Sequence, residues 1–279
     1  MAGHIPPIVG DSAEVGFGEL IGILGFRILR RRNLKPPFDY IARFTGVPTL
    51  DLQRGSKLLP PSFCPSGVSG FSVKAGDISR SDVQVASSWL AEARASADAV
   101  VHSVAGVIIV TSQYKTNDEI GFILRNGVYC WDVRRLIFYS TKARLVRELS
   151  KFGPIVEHVV NTPQGSFFVH PPSAQADVMT VNVNVFLEDP ELVLHGDHLE
   201  TLLQDIYSIS LKEIVASTWY DIQATVTVHA MGVGEFNILE EAFRSYAGNR
   251  DAHPKIFFSV DGFRFIPYTG APYAAIFRL

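Results

Sequence analysis

Apolar positions in the first part of the chain follow a helical spacing. After an irregular arm over residues 1–11, apolar residues recur three or four positions apart from Ser12 to Leu29, which predicts a helix capped by Ser12. Four arginines would gather at its C-terminal end: Arg27, Arg30, Arg31 and Arg32. Basic residues at that end suit the helix dipole, and they equally suit contact with phosphate groups, so both interpretations stay open.

A proline pair and a second helix-like stretch come next. Pro36-Pro37 ends the first helix because proline cannot continue one, and Phe38–Thr45 predicts a short second helix. The apolar run Val47–Leu52 predicts a strand that carries Asp51. A loop over residues 55–67 follows, and a loop this long inside a compact core is more often functional than idle.

The second apolar run, Gly70–Asp77, predicts a strand that carries Lys74. Ser79 to Asp82 is typical of a helix cap and leads into a predicted helix over Val83–Ala97. Two adjacent strands would bring Asp51 and Lys74 to one edge of a sheet, beside the start of this helix. A carboxylate there can hold a divalent metal ion, and a lysine can orient the water that attacks a phosphodiester.

The remaining segments of the first half predict a buried sheet covered by helices. The run Val104–Thr111 is almost continuously apolar, which is typical of a strand that is buried on both faces. Further elements are predicted after it: a helix over Asp118–Asn126, a strand over Val128–Trp131 and a helix over Asp132–Leu149.

The second half has a different pattern. Apolar and polar residues alternate along Met179–Leu187 and Ile222–Ala230, which predicts two half-buried strands. Asp261-Gly262 lies between two apolar runs and predicts a two-residue hairpin. Helices are predicted over His198–Ser217 and Phe236–Tyr246. We therefore expect an α+β domain with an antiparallel sheet, and a domain boundary near residues 152–154.

Composition and charge separate the two halves further. The chain of 279 residues is 47% hydrophobic and 19% charged, as in ordinary globular proteins. Residues 1–152 contain 19 Lys and Arg against 13 Asp and Glu, whereas residues 153–279 contain 6 against 15. The basic half is the candidate for binding a polyanion, and the acidic half for binding a protein partner or a second copy. Uneven surface charge without function is the alternative.

The sequence contains no clear targeting signal and only two cysteines. The N-terminus lacks the basic leader and apolar core of a secretory signal, and no run of about 18 apolar residues predicts a membrane span. We therefore expect a cytoplasmic protein with no membrane partner. Cys64 and Cys130 lie far apart in the sequence and indicate neither a disulfide framework nor a zinc site.

The stretch from Thr49 to Ser88, with Asp51 and Lys74, resembles the PD-(D/E)xK, or restriction-endonuclease-like, nuclease superfamily. The order of predicted elements also matches the superfamily core, and Val128–Leu136 is similar to the late strand-to-helix step of Mrr-like members. The resemblance covers roughly residues 12–150. It implies an α/β fold, with a restriction-endonuclease-like core (a mixed sheet flanked by helices) over residues 1–152, followed by the α+β antiparallel domain over residues 153–279.

The resemblance also implies a site and an activity. Glu19 and Asp51 would bind Mg²⁺ or Mn²⁺, Lys74 would position the attacking water, and Gln84 would be a fourth member of the site. The implied function is a metal-dependent endonuclease that hydrolyses DNA, serving prokaryotic antiviral defence or restriction. Ser72 stands where the family has an acid two residues before the lysine, and a hydroxyl is a weaker metal ligand than a carboxylate. A non-catalytic nuclease-fold subunit that binds nucleic acid or assembles a defence complex is therefore the alternative.

Overall fold

The chain forms two compact units. The computed structural model describes residues 17, 18, 20–45, 67–74, 78–111, 128–175, 178–187, 197–216, 222–230 and 256–259. Described residues up to Ala143 belong to the first unit, and those from Arg144 belong to the second. The sequence predicts the same two-part organisation, and its boundary near residue 152 stays a prediction. None of the described helices is long and apolar enough to cross a membrane.

The first unit contains a mixed sheet with the strand order β1-β2-β3-β4-β5. Strands β1, β2 and β3 pair antiparallel, whereas β3, β4 and β5 pair in parallel. Their bounds are β1 (Phe26–Leu34), β2 (Pro37–Phe44), β3 (Val68–Lys74), β4 (Val104–Thr111) and β5 (Val128–Asp132). The helices of this part of the chain are α1 (Arg80–Ala95), α2 (Ala99–His102) and α3 (Val133–Leu149). The mixed sheet flanked by helices that the sequence predicts is confirmed.

Apolar side chains cover both faces of this sheet. Adjacent residues of a strand point to opposite faces, so Cys130 and Trp131 of β5 identify the two sides. On the side of Cys130, the apolar residues of α1, such as Val83, pack into a core with the strands. On the side of Trp131, Phe17 contacts an aromatic cluster that includes Phe71. The continuous apolar runs of β3 and β4 are thus explained, because both faces of each strand are buried.

The predicted first helix is wrong beyond residue 23. Residues 17, 18 and 20–23 are helical, but Phe26–Leu34 forms β1. Gly25 has a φ of 95°, a left-handed conformation that glycine adopts without steric strain and that commonly ends helices. From there β1 pairs with β2, and the register shifts between Ile28 and Arg30. This irregularity breaks the alternation that would have revealed a strand in the sequence.

The short helix predicted over Phe38–Thr45 is also wrong, because Pro37–Phe44 forms β2. Strand pairing on both sides decides the conformation: β2 pairs with β1 and with β3. Phe38 and Tyr40 are buried, and Asp39 between them is half-buried, which fits a strand in the interior of the sheet. The four arginines from Arg27 to Arg32 therefore lie on β1, and the helix dipole no longer explains them.

Gly70→Ala is expected to destabilise the first unit by about 1–3 kcal/mol, the usual cost of overpacking a core. A Cβ atom at Gly70 would lie 2.7 Å from the ring of Phe38, which is 1% exposed and has little room to move. Urea unfolding of the purified variant measures the loss. Gly22→Ala is the matched control, since a Cβ there would meet nothing within 4 Å. Equal stability of the two variants would contradict the packing argument.

The second unit is built on another sheet, with the strand order β11-β10-β9-β7-β6 and with β8 beside β9. The antiparallel pairing that the sequence predicts is present from β6 to β9, whereas β9, β10 and β11 pair in parallel. The strand bounds are β6 (Val159–Asn161), β7 (Ser166–Val169), β8 (Ser173–Gln175), β9 (Val178–Leu187), β10 (Ile222–Ala230) and β11 (Ile256–Ser259), and a 3-10 turn covers Ile155–Glu157.

Helix α4 (Asp197–Ala216) packs its apolar residues against one face of this sheet. The alternate residues of β10 that the sequence predicts to face inward are all buried: Ile222, Ala224, Val226 and Val228. The strand Met179–Leu187 and the helix His198–Ser217 are confirmed within one residue. Four predicted elements lie outside the described residues: the strand over Val47–Leu52, the helices over Asp118–Asn126 and Phe236–Tyr246, and the hairpin at Asp261-Gly262.

Candidate functional site

Lys74 and Asp82 form an ion pair where β3 leads into α1. Lys74 is the last residue of β3, and α1 begins six residues later, so the first turn of the helix returns to the strand end. Lys74 Nζ donates a hydrogen bond to Asp82 Oδ1 at 3.1 Å. The side chains are 36% and 26% exposed, respectively, so a substrate could reach both from solvent.

Asp82 is also half of the cap that begins α1. Its backbone N–H donates to Ser79 Oγ, while its Oδ2 accepts from the backbone N–H and the hydroxyl of Ser79. These bonds form a capping box, as the sequence predicts for Ser79 to Asp82. The Ser79 hydroxyl contributes most, followed by the Ser79 N–H and Lys74, and together they lower the pKa of Asp82 to about 2. The carboxylate facing Lys74 is therefore ionised at neutral pH.

Ser79→Ala is expected to lower the free energy of unfolding by about 1 kcal/mol at pH 7, the usual worth of a helix N-cap. It should also raise the pKa of Asp82, because the largest cause of the lowered value is lost. A carboxyl whose folded pKa lies below its unfolded value of about 3.9 stabilises the fold above that value, and this stability is lost as pH falls towards 2. The difference between wild type and variant should therefore shrink from pH 4 downwards.

Urea unfolding at several pH values measures this change. Ser88→Ala is the matched control, because Ser88 is exposed on α1 and, among the described residues, its hydroxyl bonds only to Val85 of its own helix. If the free energies of unfolding of wild type and Ser79→Ala differed by the same amount at every pH below 4, this would contradict the assigned role of Asp82.

Asp39 is the acidic residue that the sequence analysis missed. It lies on β2, and its Oδ2 accepts a hydrogen bond from the backbone N–H of Val73 at 2.6 Å. Tyr40 pairs with Phe71 across the two strands, which puts Asp39 opposite Ser72. Opposite residues of an antiparallel pair share a face, as do residues two apart in one strand. Asp39, Ser72 and Lys74 therefore lie on the same face of the sheet.

The signal that would have identified Asp39 is weak but present in the sequence. Asp39 separates the apolar residues Phe38 and Tyr40, and the stretch Phe38–Thr45 has the length of a typical strand. The preceding proline pair is also common at the start of a helix, which favours the helix interpretation instead.

The three parallel strands end side by side. Lys74 of β3 pairs with Thr111 of β4, and Thr111 pairs with Asp132 of β5. In sheets with parallel strands, ligands bind outside the carboxyl ends of those strands. Asp132 is fully buried, forms an ion pair with Arg135, and accepts the backbone N–H of Arg135 at 2.8 Å. Its contacts show a structural role at the start of α3.

The other predicted site residues are placed as follows. Glu19 and Asp51 lie outside the described residues, so their assignment as metal ligands stays a prediction. Ser72 lies on β3 two residues before Lys74, at the position where the resemblance to the nuclease superfamily expects an acid, and it is 6% exposed. Gln84 is exposed on α1 and forms no hydrogen bond with any residue in the described ranges.

In the described part of the chain, no three His, Cys, Asp or Glu residues are grouped closely enough to hold a metal ion. Asp39 and Asp82 supply hard carboxylate oxygens of the kind that Mg²⁺ prefers, and Mg²⁺ fills its other positions with waters and substrate phosphates. The predicted ligands Glu19 and Asp51 would add further carboxylates.

Comparison with known proteins identifies no relative of this chain. No family model, no curated protein and no solved structure matches the chain. The resemblance to restriction-endonuclease-like nucleases therefore rests on the residues and strand order described above.

Proposed function

We propose that this protein is a metal-dependent endonuclease that hydrolyses DNA phosphodiester bonds. The observation that carries the proposal is the position of Lys74 at the end of β3, with Asp39 bonded to the neighbouring Val73 N–H. A lysine and a carboxylate on adjacent strands, in a mixed sheet flanked by helices, are what the resemblance to PD-(D/E)xK nucleases implies. The proposal replaces the expected strand neighbour, Asp51, by Asp39 and leaves Asp51 as a possible additional ligand.

In this proposal, the residues have separate tasks. Lys74 Nζ donates a hydrogen bond to the attacking water and aims it at the phosphorus atom. Asp82, 3.1 Å from Nζ, positions the lysine side chain. Asp39 offers a carboxylate on the same face, where it can hold a hydrated cation or accept a proton from the water. A divalent ion held by Asp39 with Glu19 or Asp51 would offset the charge that builds up on the phosphate.

The second candidate is a non-catalytic subunit with a nuclease-like fold. Ser72, which replaces the acid of the family motif, favours this candidate. Such a subunit would bind nucleic acid or assemble a complex without cleaving. In either case the acidic second half would bind a protein partner or a second copy, and the biological setting would be prokaryotic defence or restriction.

A cleavage assay separates the two candidates. Purified protein is incubated with supercoiled plasmid DNA and Mg²⁺ or Mn²⁺, with EDTA as the control. We expect nicked or linear plasmid with the metal and intact plasmid with EDTA. Intact DNA and RNA under all metal conditions, with DNA binding retained, would reject the enzyme and favour the non-catalytic subunit.

A further inference from the structure

The hairpin formed by β1 and β2 concentrates positive charge. Residues 26–44 contain six basic residues and one acidic residue, in a chain whose formal net charge is −3. Five of the six basic residues are exposed: Arg27, Arg31, Arg32, Lys35 and Arg43. A local excess of this size attracts polyanions, and the average charge of the chain conceals it.

The pairing register brings two of these arginines side by side. Arg27 of β1 is directly opposite Arg43 of β2. Like charges in opposite positions of a sheet repel each other and destabilise it. Neither arginine forms an ion pair with a residue of the described ranges. A bound phosphate group would convert this repulsion into attraction, because both guanidinium groups could donate to its oxygens.

Arg31 belongs to the same hairpin but lies on its other face. The register shift between Ile28 and Arg30 inserts an extra residue in β1, so Arg31 pairs with Tyr40. Successive residues of β2 face opposite ways, and Tyr40 therefore faces away from Arg43. Arg31 is an exposed cation of the hairpin that does not share the face of Arg27 and Arg43.

Arg30 differs from its neighbours and provides an internal comparison. Its guanidinium donates to Asp98 Oδ2 at 2.7 Å, and Asp98 in turn caps α2 through the backbone N–H groups of Val100 and Val101. The Arg30 guanidinium therefore already has an ion-pair partner within the protein, although Arg30 belongs to the same run of arginines.

We infer that Arg27 and Arg43 form a phosphate-binding row that holds the sugar-phosphate backbone of a nucleic acid. The inference rests on the proposed nuclease function, because it assigns the row to the substrate of that site. The row recognises phosphate spacing and charge, so it binds without regard to base sequence. Its contacts release counterions, and binding must therefore weaken as salt rises.

Fluorescence anisotropy of a short labelled DNA duplex in EDTA tests the row without any cleavage. Affinity is measured at rising KCl for wild type and Arg27→Gln/Arg43→Gln, with Arg30→Gln and Arg31→Gln as controls. Arg30 is paired with Asp98, and Arg31 lies on the other face of the hairpin. Each lost phosphate contact should reduce the slope of log affinity against log salt by about 1. We expect a reduction of about 2 for the double variant and none for Arg30→Gln or Arg31→Gln.

Several results would overturn the inference. These are an unchanged slope in the double variant, an equal reduction in Arg30→Gln, or tighter binding of anionic lipid vesicles than of nucleic acid. A parallel titration with duplex RNA shows which nucleic acid the row prefers, and either preference is compatible with it. If the row variants lose binding but wild type never cleaves, the row stands and the nuclease fails. If the double variant cleaves with an unchanged KM, the nuclease stands and the row fails.

Discussion

Lys74→Ala is expected to reduce Mg²⁺-dependent cleavage of plasmid DNA by on the order of 10²-fold, the usual cost of misplacing a reacting group such as the attacking water. Lys74 is the only described lysine at the end of a strand of the mixed sheet, and Asp82 fixes its position by the bond of 3.1 Å. The stability of the fold should change little, since the lysine is 36% exposed and exposed ion pairs contribute less than about 1 kcal/mol. Single-turnover cleavage rates measure the loss, and urea unfolding checks the fold.

Arg94→Ala is the matched control, because Arg94 is an exposed cation in the last turn of α1. Its cleavage rate should equal that of wild type. Cleavage by Lys74→Ala at the wild-type rate would remove the lysine from the site.

Two aspartates compete for the carboxylate position, and the same assay distinguishes them. Asp39→Asn keeps the shape of the side chain and removes the charge beside Lys74, so it should lose as much cleavage as Lys74→Ala. If Asp51→Asn also loses cleavage, both carboxylates belong to the site. Full activity of Asp39→Asn, together with loss in Asp51→Asn, would restore the assignment predicted from the sequence.

Asp132→Ala should produce the largest loss of stability, about 3–5 kcal/mol in the free energy of unfolding, as expected when one partner of a buried ion pair is removed. Asp132 is fully buried and Arg135 is 12% exposed, so the truncation leaves a guanidinium in a site with little water. The variant also loses the hydrogen bond from the Arg135 N–H at the start of α3. Chemical denaturation measures the loss.

Two further variants identify the cause. Glu92→Ala removes an exposed acid from α1 and should change the unfolding free energy by less than about 0.5 kcal/mol. Arg135→Met in the Asp132→Ala background also removes the buried guanidinium charge and should recover part of the lost stability. A loss below about 1 kcal/mol in Asp132→Ala would contradict the structural role assigned to this aspartate.

The sequence correctly predicted the elements whose local residue pattern favours the same structure as their packing in the fold. β3, β4 and β5 are apolar runs, and the Ser79 cap begins α1 where the pattern predicts it. The prediction failed over residues 24–44, where helical spacing of leucine and isoleucine conflicts with strand pairing. Pairing decides the conformation there because β2 has a partner on each side, and no local pattern records such partners.

The same conflict determined how much of the candidate site could be predicted. Lys74 was identified because its strand is continuous and apolar. Asp39 was missed because the sequence pattern predicts a helix over Phe38–Thr45, where the structure has β2. Asp82 was recognised as a cap, but its contact with Lys74 depends on the return of α1 to the end of β3, which spacing alone does not specify.

The position of β1 has a consequence for the behaviour of the protein in solution. Of the described strands of its sheet, β1 is at one edge, and edge strands tend to recruit other chains through their unpaired backbone groups. Leu29 and Leu34 are exposed on β1, which would favour such aggregation. The arginines between and beside them oppose it, because charged side chains on an edge repel a second copy. Neutral substitutions on β1 should therefore reduce solubility, whereas Arg43→Gln, on the interior strand β2, should not.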